Sequence, residues 1–208
     1  AEGATITVVS MGGSFVMDVM KKPLSMGADE LILVQDDAVD GLDAFGIARA
    51  LSKAIQKVGE FDLVLCGRQA SDWDNAHVPL GIAEILGLPC VTVARKLEVA
   101  NGGLIVHRSI ADGYEVVETS LPAVVTVSNE LGEPRYPTLR GIMTASRKTP
   151  TVWTAEELGI GPDDLAPMLQ LTDLSIPVSD RQCEVIEGEN EADAGRKLAL
   201  RLREEKLL

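Results

Sequence analysis

One alternation constrains the fold of this chain more than any other feature: a short apolar run, a polar turn, then a stretch with apolar residues at helical spacing. The apolar runs are ATITVVS (4–10), ELILVQ (30–35) and FDLVL (61–65), and each reads as a β-strand. The stretches after them are FVMDVMKKPLSMGADE, DAFGIARALSKAIQKVGE and a helix from about Val78 to Leu86. A strand-to-strand spacing of roughly 30 residues is that of βαβ crossovers, which pair strands in parallel and bury them beneath helices. The expected class is therefore α/β, with a mostly parallel open sheet and helices on both faces.

Local residues refine this. Pro23 falls inside the first helical stretch and should kink or shorten it, and Gly27 is placed as its C′ residue. Asp43 is positioned to cap the second helix, after a connecting loop DDAVDGLDAF. Beyond the GLP turn the strand CVTVARKLEV opens a different pattern. Two turn signals, Asn101-Gly102-Gly103 and Asp112-Gly113, separate alternating strands, which predicts an antiparallel meander attached to the sheet. PAVVTVS adds a further strand, and NELGEPRYPTLRGIM is rich in turn formers.

From about 149 to 185 no period survives, and prolines recur at 150, 162, 167 and 177. This reads as an extended arm, closed by the amphipathic helix EADAGRKLALRLREEKLL with Leu198, Leu202 and Leu208 on one stripe. The expected organisation is an α/β domain over 1–148 and an arm over 149–208. An arm of that length is seldom ordered alone, so it should wrap a partner subunit.

Composition excludes several functions. With 19 basic against 32 acidic residues, a net charge of −13, general affinity for nucleic acid or an anionic membrane is not expected. No apolar run approaches the ~20 residues that span a bilayer, so membrane insertion is not expected, and no basic n-region marks a signal peptide. Aromatics make up 3%, so the core must be mostly Val, Leu, Ile and Ala. Cys66, Cys90 and Cys183 form no CxxC pair and only His77 and His107 could join them, which argues against disulfides and zinc and for a reducing compartment.

The stretch that invites a ligand is CGRQASDWDNAHVPLGIAEILGLP, a polar loop between the strand at 61–65 and the next helix. In open α/β sheets ligands sit beyond the carboxyl ends of the strands. Free N–H groups at a helix start favour an anion, each such interaction contributing about 0.3–1 kcal/mol. Asp72 and Asp74 would repel a phosphate, so they should face a ribose, a base edge or loop amides, leaving Arg68, Gln69 and Asn75 as donors. The alternative is that Asp72 and Asp74 cap the helix and the loop binds nothing. No GxGxxG follows a strand, and SMGGS (10–14) resembles a phosphate loop of ATP-cleaving enzymes only weakly, without an acidic residue in place. Neither a Ser/His/Asp nor a Cys/His set is recognisable, so no catalytic residue and no metal ligand is expected.

MGADELILVQD, FDLVLCGRQASDWDNA, LPAVVTVSNELGEPRYPTLRGIM and the Pro-rich arm with its final helix resemble, in order along nearly the whole chain, the β subunit of the electron transfer flavoproteins. The resemblance implies an adenine-nucleotide-binding α/β domain with an arm embracing an α subunit. It implies an FAD near the subunit interface and an AMP in the β subunit, which a second FAD replaces in electron-bifurcating relatives. Carried over residue by residue, it implies a nucleotide site of Met11, Gly67, Arg68, Gln69, Asp72, Asp74, Asn75, Ala76, His77 and Val78. It also implies a partner-recognition loop of Pro137, Thr138, Leu139, Arg140, Ile142 and Met143, with Leu139 as anchor. A leucine packed beneath its own loop is the alternative there.

The resemblance implies an electron carrier that, with its α subunit, passes electrons from flavin dehydrogenases such as acyl-CoA dehydrogenases to a quinone reductase or other acceptor. The alternatives are an electron-bifurcating subunit fed by NADH and a stand-alone nucleotide-binding protein. The expected place is the bacterial cytoplasm or the mitochondrial matrix. The chain departs from the family pattern at His77 and Asn75, where many relatives have Gln and Thr, and at Thr144 and Ser146, where lysines are common. The family also usually begins with another strand and nucleotide-contacting loop ahead of the segment that opens this chain.

Overall fold

Two strands without a polar face organise the molecule. In β2 (Glu30–Gln35) Leu31, Ile32, Leu33 and Val34 are all buried, and in β7 (Ala123–Val127) Ala123, Val124, Val125 and Thr126 are. Runs of this kind are stable only when both sides are covered, each fully buried Val or Leu contributing about 1.5–3 kcal/mol. The computed structural model describes residues 3–100, 102–178 and 183–208. In it the strands form two hydrogen-bonded sheets. One is parallel throughout, β1 (Thr7–Gly12), β2 and β8 (Thr151–Trp153) in that order. The other runs β3 (Leu63–Gly67), β7, β4 (Cys90–Ala100), β5 (Gly103–Ile110), β6 (Gly113–Ser120), parallel over its first three strands and antiparallel over the last two pairings.

The α/β class, the parallel pairing and the meander are those the sequence predicts. The helices are placed by small residues. Helix α2 (Lys22–Ser25) and α5 (Leu139–Arg147) cover one side of β2, where Leu24, Leu31, Leu33 and Ala145 pack together. A Cβ on Gly141 would lie 2.4 Å from the Ser25 carbonyl oxygen, so this approach requires glycine. Helices α3 (Ala44–Val58) and α4 (His77–Leu86) cover the Val124 side of β7 through Ala48, Ile82 and Ala83. They meet at Gly81, whose Cβ would stand 2.7 Å from that of Ala48. On the other side of β7 the cluster of Val91, Ala94, Leu104, Val106, Ala123 and Val125 is built from sheet residues alone.

Boundaries moved where local chemistry was ambiguous. Strand β1 runs to Gly12, which pairs with Gln35, because parallel register with β2 outweighs the turn preference of glycine. The helical stretch around Pro23 is two short pieces, α1 (Met17–Met20) and α2, with the proline in the first turn of the second. Asp43 caps α3 as expected, its Oδ1 accepting the Gly46 N–H at 2.8 Å. Of the two turn signals, Gly113 opens β6 while Asn101 lies outside the described residues. Inside β4 the pairing with β7 shifts register between Val91 and Ala94, where Val93 stands at φ 57°, and its N–H donates to the buried Thr126 hydroxyl at 2.8 Å.

The largest difference concerns the arm. Residues 149–170 are not extended: β8 pairs with β2, a short 3-10 turn covers Glu156–Leu158, and α6 (Pro162–Leu165) follows. Ala155 and Ile160 are buried against Ala50 of α3. The compact unit therefore ends at Gln170, and a second unit spans Leu171–Leu208. The second unit holds α7 (Glu191–Glu204), which Asn190 caps through the Asp193 N–H at 3.0 Å.

Candidate functional site

Strand β3 ends at Gly67, and the Arg68 N–H still donates to Val127 at 3.0 Å before the chain leaves the sheet. A Cβ on Gly67 would meet nothing within 4 Å, so the strand opens onto free space. The loop then ties itself down. The Asp74 N–H donates to Ala70 at 3.0 Å, the Gln69 amide to Asp74 Oδ1 at 3.0 Å, and the Trp73 N–H to Asp72 Oδ1 at 2.8 Å. Asp74 and Ala76 sit in the left-handed region at φ 50° and 54°, a conformation costing a non-glycine residue about 1–2 kcal/mol.

Ala76 is the N-cap of α4 and has no side-chain oxygen to offer, and no other side chain caps the helix. Pro79, third in the helix, lacks an N–H. The main-chain donors of His77 and Val78 are thus without an acceptor among the described residues. Asp72 and Asp74 do not cap α4: each accepts from a donor of its own loop. Of the predicted residues, the structure gathers Gly67, Arg68, Gln69, Asp72, Asp74, Asn75, Ala76, His77 and Val78 on this one loop and helix start. Met11 stands on β1, in the other sheet. It lines a cleft of about 300 Å³ at the end of β1, whose walls include Ser10, Asp40, Leu42, Ile47 and Leu51 but none of residues 67–78. Leu51 links the two places, since it also packs in the cluster that holds Val64 and Cys66 of β3.

A phosphate has no room at the SMGGS turn. The Gly13 N–H already donates to Asp40 Oδ1 at 2.8 Å, so an internal carboxylate occupies that position. Asp36 and Asp43 are engaged in the same way. Hydrogen bonds from the Ala38 and Ala155 N–H groups hold the Asp36 carboxyl below its ordinary value. For Asp43, burial by itself would raise the value, but donors from Gly46, Leu169, Met168 and Phe45 outweigh it and the net shift is downward. Burial, with a smaller contribution from nearby Cys90, pushes the Cys66 thiol up to about 11, which leaves it a poor nucleophile.

The second predicted surface is the start of α5. Thr138 caps that helix, its hydroxyl accepting the Gly141 N–H at 3.0 Å, and Leu139 is the first helical residue. Leu139 is 82% exposed, not packed beneath its loop, and Ile142 and Met143 are exposed on the same face three and four residues on. Arg140 is exposed beside them and Pro137 is half-buried.

A family model described as the electron transfer flavoprotein domain matches residues 1–158. The chain belongs to the electron transfer flavoprotein family. It is 40% identical over 204 residues to the electron transfer flavoprotein subunit beta of Thermoanaerobacterium thermosaccharolyticum, covering 96% of this chain and 78% of that one. It is 40% identical over 161 residues to the caffeyl-CoA reductase-Etf complex subunit CarD of Acetobacterium woodii, with coverage of 77% and 62%. The electron transfer flavoprotein subunit beta of Clostridium acetobutylicum is 39% identical over 158 residues, with coverage of 76% and 61%. The chain thus spans about three fifths of the length of the last two relatives.

Two features of this electron transfer flavoprotein chain escaped the sequence reading. Trp73 is 59% exposed within the loop, and a large aromatic between two aspartates in a polar turn is a signal that could have been read. The further use of Asp36, Asp40 and Asp43 as acceptors for Ala155, Gly13, Met168 and Leu169 could not, because those donors are far away in sequence. Among the described residues no three His, Cys, Asp or Glu gather as a metal site would require, and no helix is long and apolar enough to cross a membrane.

Proposed function

We propose that this chain is the β subunit of an electron-carrying heterodimer that holds FAD against its α subunit and an adenine nucleotide, AMP, on the loop at 67–78. The observation that carries the reading is the open start of α4, in a chain 40% identical over 204 residues to an electron transfer flavoprotein subunit beta. The residues fit a phosphate. His77 and Val78 present main-chain N–H groups, Gly67 leaves space above β3, and Gln69 and the Trp73 N–H turn the Asp74 and Asp72 carboxylates into their own loop. Arg68 and Asn75 are exposed beside them as further donors. Met11 belongs to the neighbouring cleft and would reach the nucleotide only from that side. The flavin, when bound, supplies the electron chemistry, and the chain's part is to bind, orient and shield.

In this reading the α5 face docks flavin dehydrogenases, such as acyl-CoA dehydrogenases, and the acceptor, a quinone reductase or similar protein. Burying Leu139 in a partner pocket contributes about 1.5–3 kcal/mol, enough for a brief encounter. Leu139→Ala should therefore raise the KM for the partner dehydrogenase about ten-fold or more while leaving the melting temperature unchanged, because the side chain supports nothing in its own subunit.

The deciding measurement is the identity and number of nucleotides released on denaturing the purified α/β complex: one FAD and one AMP are expected. A second reading, an electron-bifurcating subunit with FAD in place of AMP and NADH as donor, draws support from the 40% identity to a subunit of a caffeyl-CoA reductase-Etf complex. Two FAD and no AMP would select it. A colourless chain that purifies stably without an α subunit or any nucleotide would end both.

A further inference from the structure

Residues 154–169 cross α3 as a strap: Ala155, Leu158, Ile160 and Leu165 pack in the cluster around Ala50, and the hydrogen bonds that fasten the strap run mainly to its main chain. Asp36 Oδ2 accepts the Ala155 N–H at 3.0 Å. Arg49, Lys53 and Lys57 stand four residues apart on one side of α3 and donate to strap carbonyls. Lys57 reaches Glu157 at 2.8 Å, Lys53 reaches Gly159 at 2.5 Å, and Arg49 reaches Asp163 and Asp164 at 3.1 and 3.3 Å. Lys53 also pairs with the Asp164 carboxylate at 2.6 Å, and Lys57 lies over the Trp153 ring at 4.8 Å.

The last fastening differs from the others. Asp43 spends Oδ1 on the α3 cap and uses Oδ2 to accept two successive N–H groups, Met168 at 2.6 Å and Leu169 at 2.8 Å. The compact unit ends one residue later, at Gln170. The segment that follows carries Leu171, Leu174, Ile176 and Val178, the last two 92% and 90% exposed. Residues 171–178 form neither helix nor strand.

We propose that Asp43 is a latch that fixes the point at which this apolar run leaves the compact unit, and that the fixed exit lets the run bind the α subunit tightly. The proposal rests on the β-subunit reading above. Its physical basis is preorganisation: a segment anchored at its root loses less freedom on binding than one that must be ordered from further back. Asp43 is a positioning residue here, acting through two amides and touching no cofactor.

The two duties of Asp43 can be separated. Asp43→Ser keeps one oxygen for the cap and removes the second acceptor. Leu169→Pro removes one of the two amides without touching α3. The experiment uses the full chain, alone and with its α subunit, and reads amide exchange together with the dissociation constant. Asp43→Ser should speed exchange at Met168 and Leu169, leave the amides of α3 as slow as before, and weaken the α/β complex about ten-fold. Leu169→Pro should weaken it by a similar factor, and the double variant should be little worse than either single one.

Unchanged exchange at Met168 and Leu169 in Asp43→Ser would overturn the latch. Faster exchange with unchanged affinity would overturn its part in assembly. Slow exchange at both amides in an unaltered chain that binds no α subunit would defeat the β-subunit reading instead, and the assembly role with it.

Discussion

Two loops of this chain look alike in sequence and behave in opposite ways. DDAVDGLD (36–43) follows β2 and leads to α3; RQASDWDNA (68–76) follows β3 and leads to α4. In the first loop one contact is internal, Ala38 to Asp36, but the carboxylates otherwise reach outward to main-chain N–H groups of Gly13, Gly46, Ala155, Met168 and Leu169. In the second, Asp72 and Asp74 accept, among the described residues, only from Trp73 and Gln69, inside the loop. The result is one helix start that is sealed by its own chain and one that is open. A count of acidic residues cannot tell the two apart; what decides is where each carboxylate finds its donors.

The comparison can be broken most severely at the sealed end. Asp43→Ala removes the α3 cap and the acceptor of two further amides, and should cost about 2 kcal/mol of stability in urea unfolding, the upper range for a lost cap. At the open end, Ala76→Asp sets a carboxylate where α4 begins. It should weaken nucleotide retention about ten-fold in equilibrium dialysis of the purified complex, because a negative side chain there competes with a phosphate for the His77 and Val78 amides. If retention is unaltered, the phosphate is not held at this helix start.

Ala76→Gly tests the strain at the same point without adding charge. With φ at 54° the position favours glycine, so the variant should be more stable by about 0.4–1 kcal/mol and keep its nucleotide. The smallest effect is in the pH dependence. Asp36 and Asp43 have folded values below the ordinary 3.8, so their contribution is complete above that value and is lost as pH falls through the folded ones. Thermal melts should therefore show stability falling below about pH 4, and less steeply in Asp36→Asn than in the unaltered chain. Equal slopes would mean that these hydrogen bonds do not persist in solution.

What the sequence showed was mostly periodic or punctuated. ELILVQ and PAVVTVS announced strands, Asp43 announced the α3 cap, and Pro23 announced the break between α1 and α2. The open loop at 67–78 was visible as a polar insert between a strand and a helix. What remained hidden depended on partners distant in sequence. A strand of three residues such as β8 has no period of its own, and it exists because β2 offers an edge to pair with. The prolines at 150 and 162 suggested an extended arm, yet the first precedes β8 and the second starts α6. Gly12 looked like part of a turn until register with Gln35 claimed it. Met11, added to the nucleotide site by resemblance as a position on the neighbouring strand end, lines the cleft at the end of β1.

The way residues 154–169 are fastened has a consequence for variation. Apart from Ala155, Leu158, Ile160 and Leu165, which pack in the cluster around Ala50 of α3, and Asp164, which pairs with Lys53, that stretch is held to α3 by its backbone. Sequence there can drift with little penalty, whereas the cations at 49, 53 and 57 cannot. The piece behaves as an interchangeable cassette, transplantable between homologues so long as the helix beneath it keeps its three prongs.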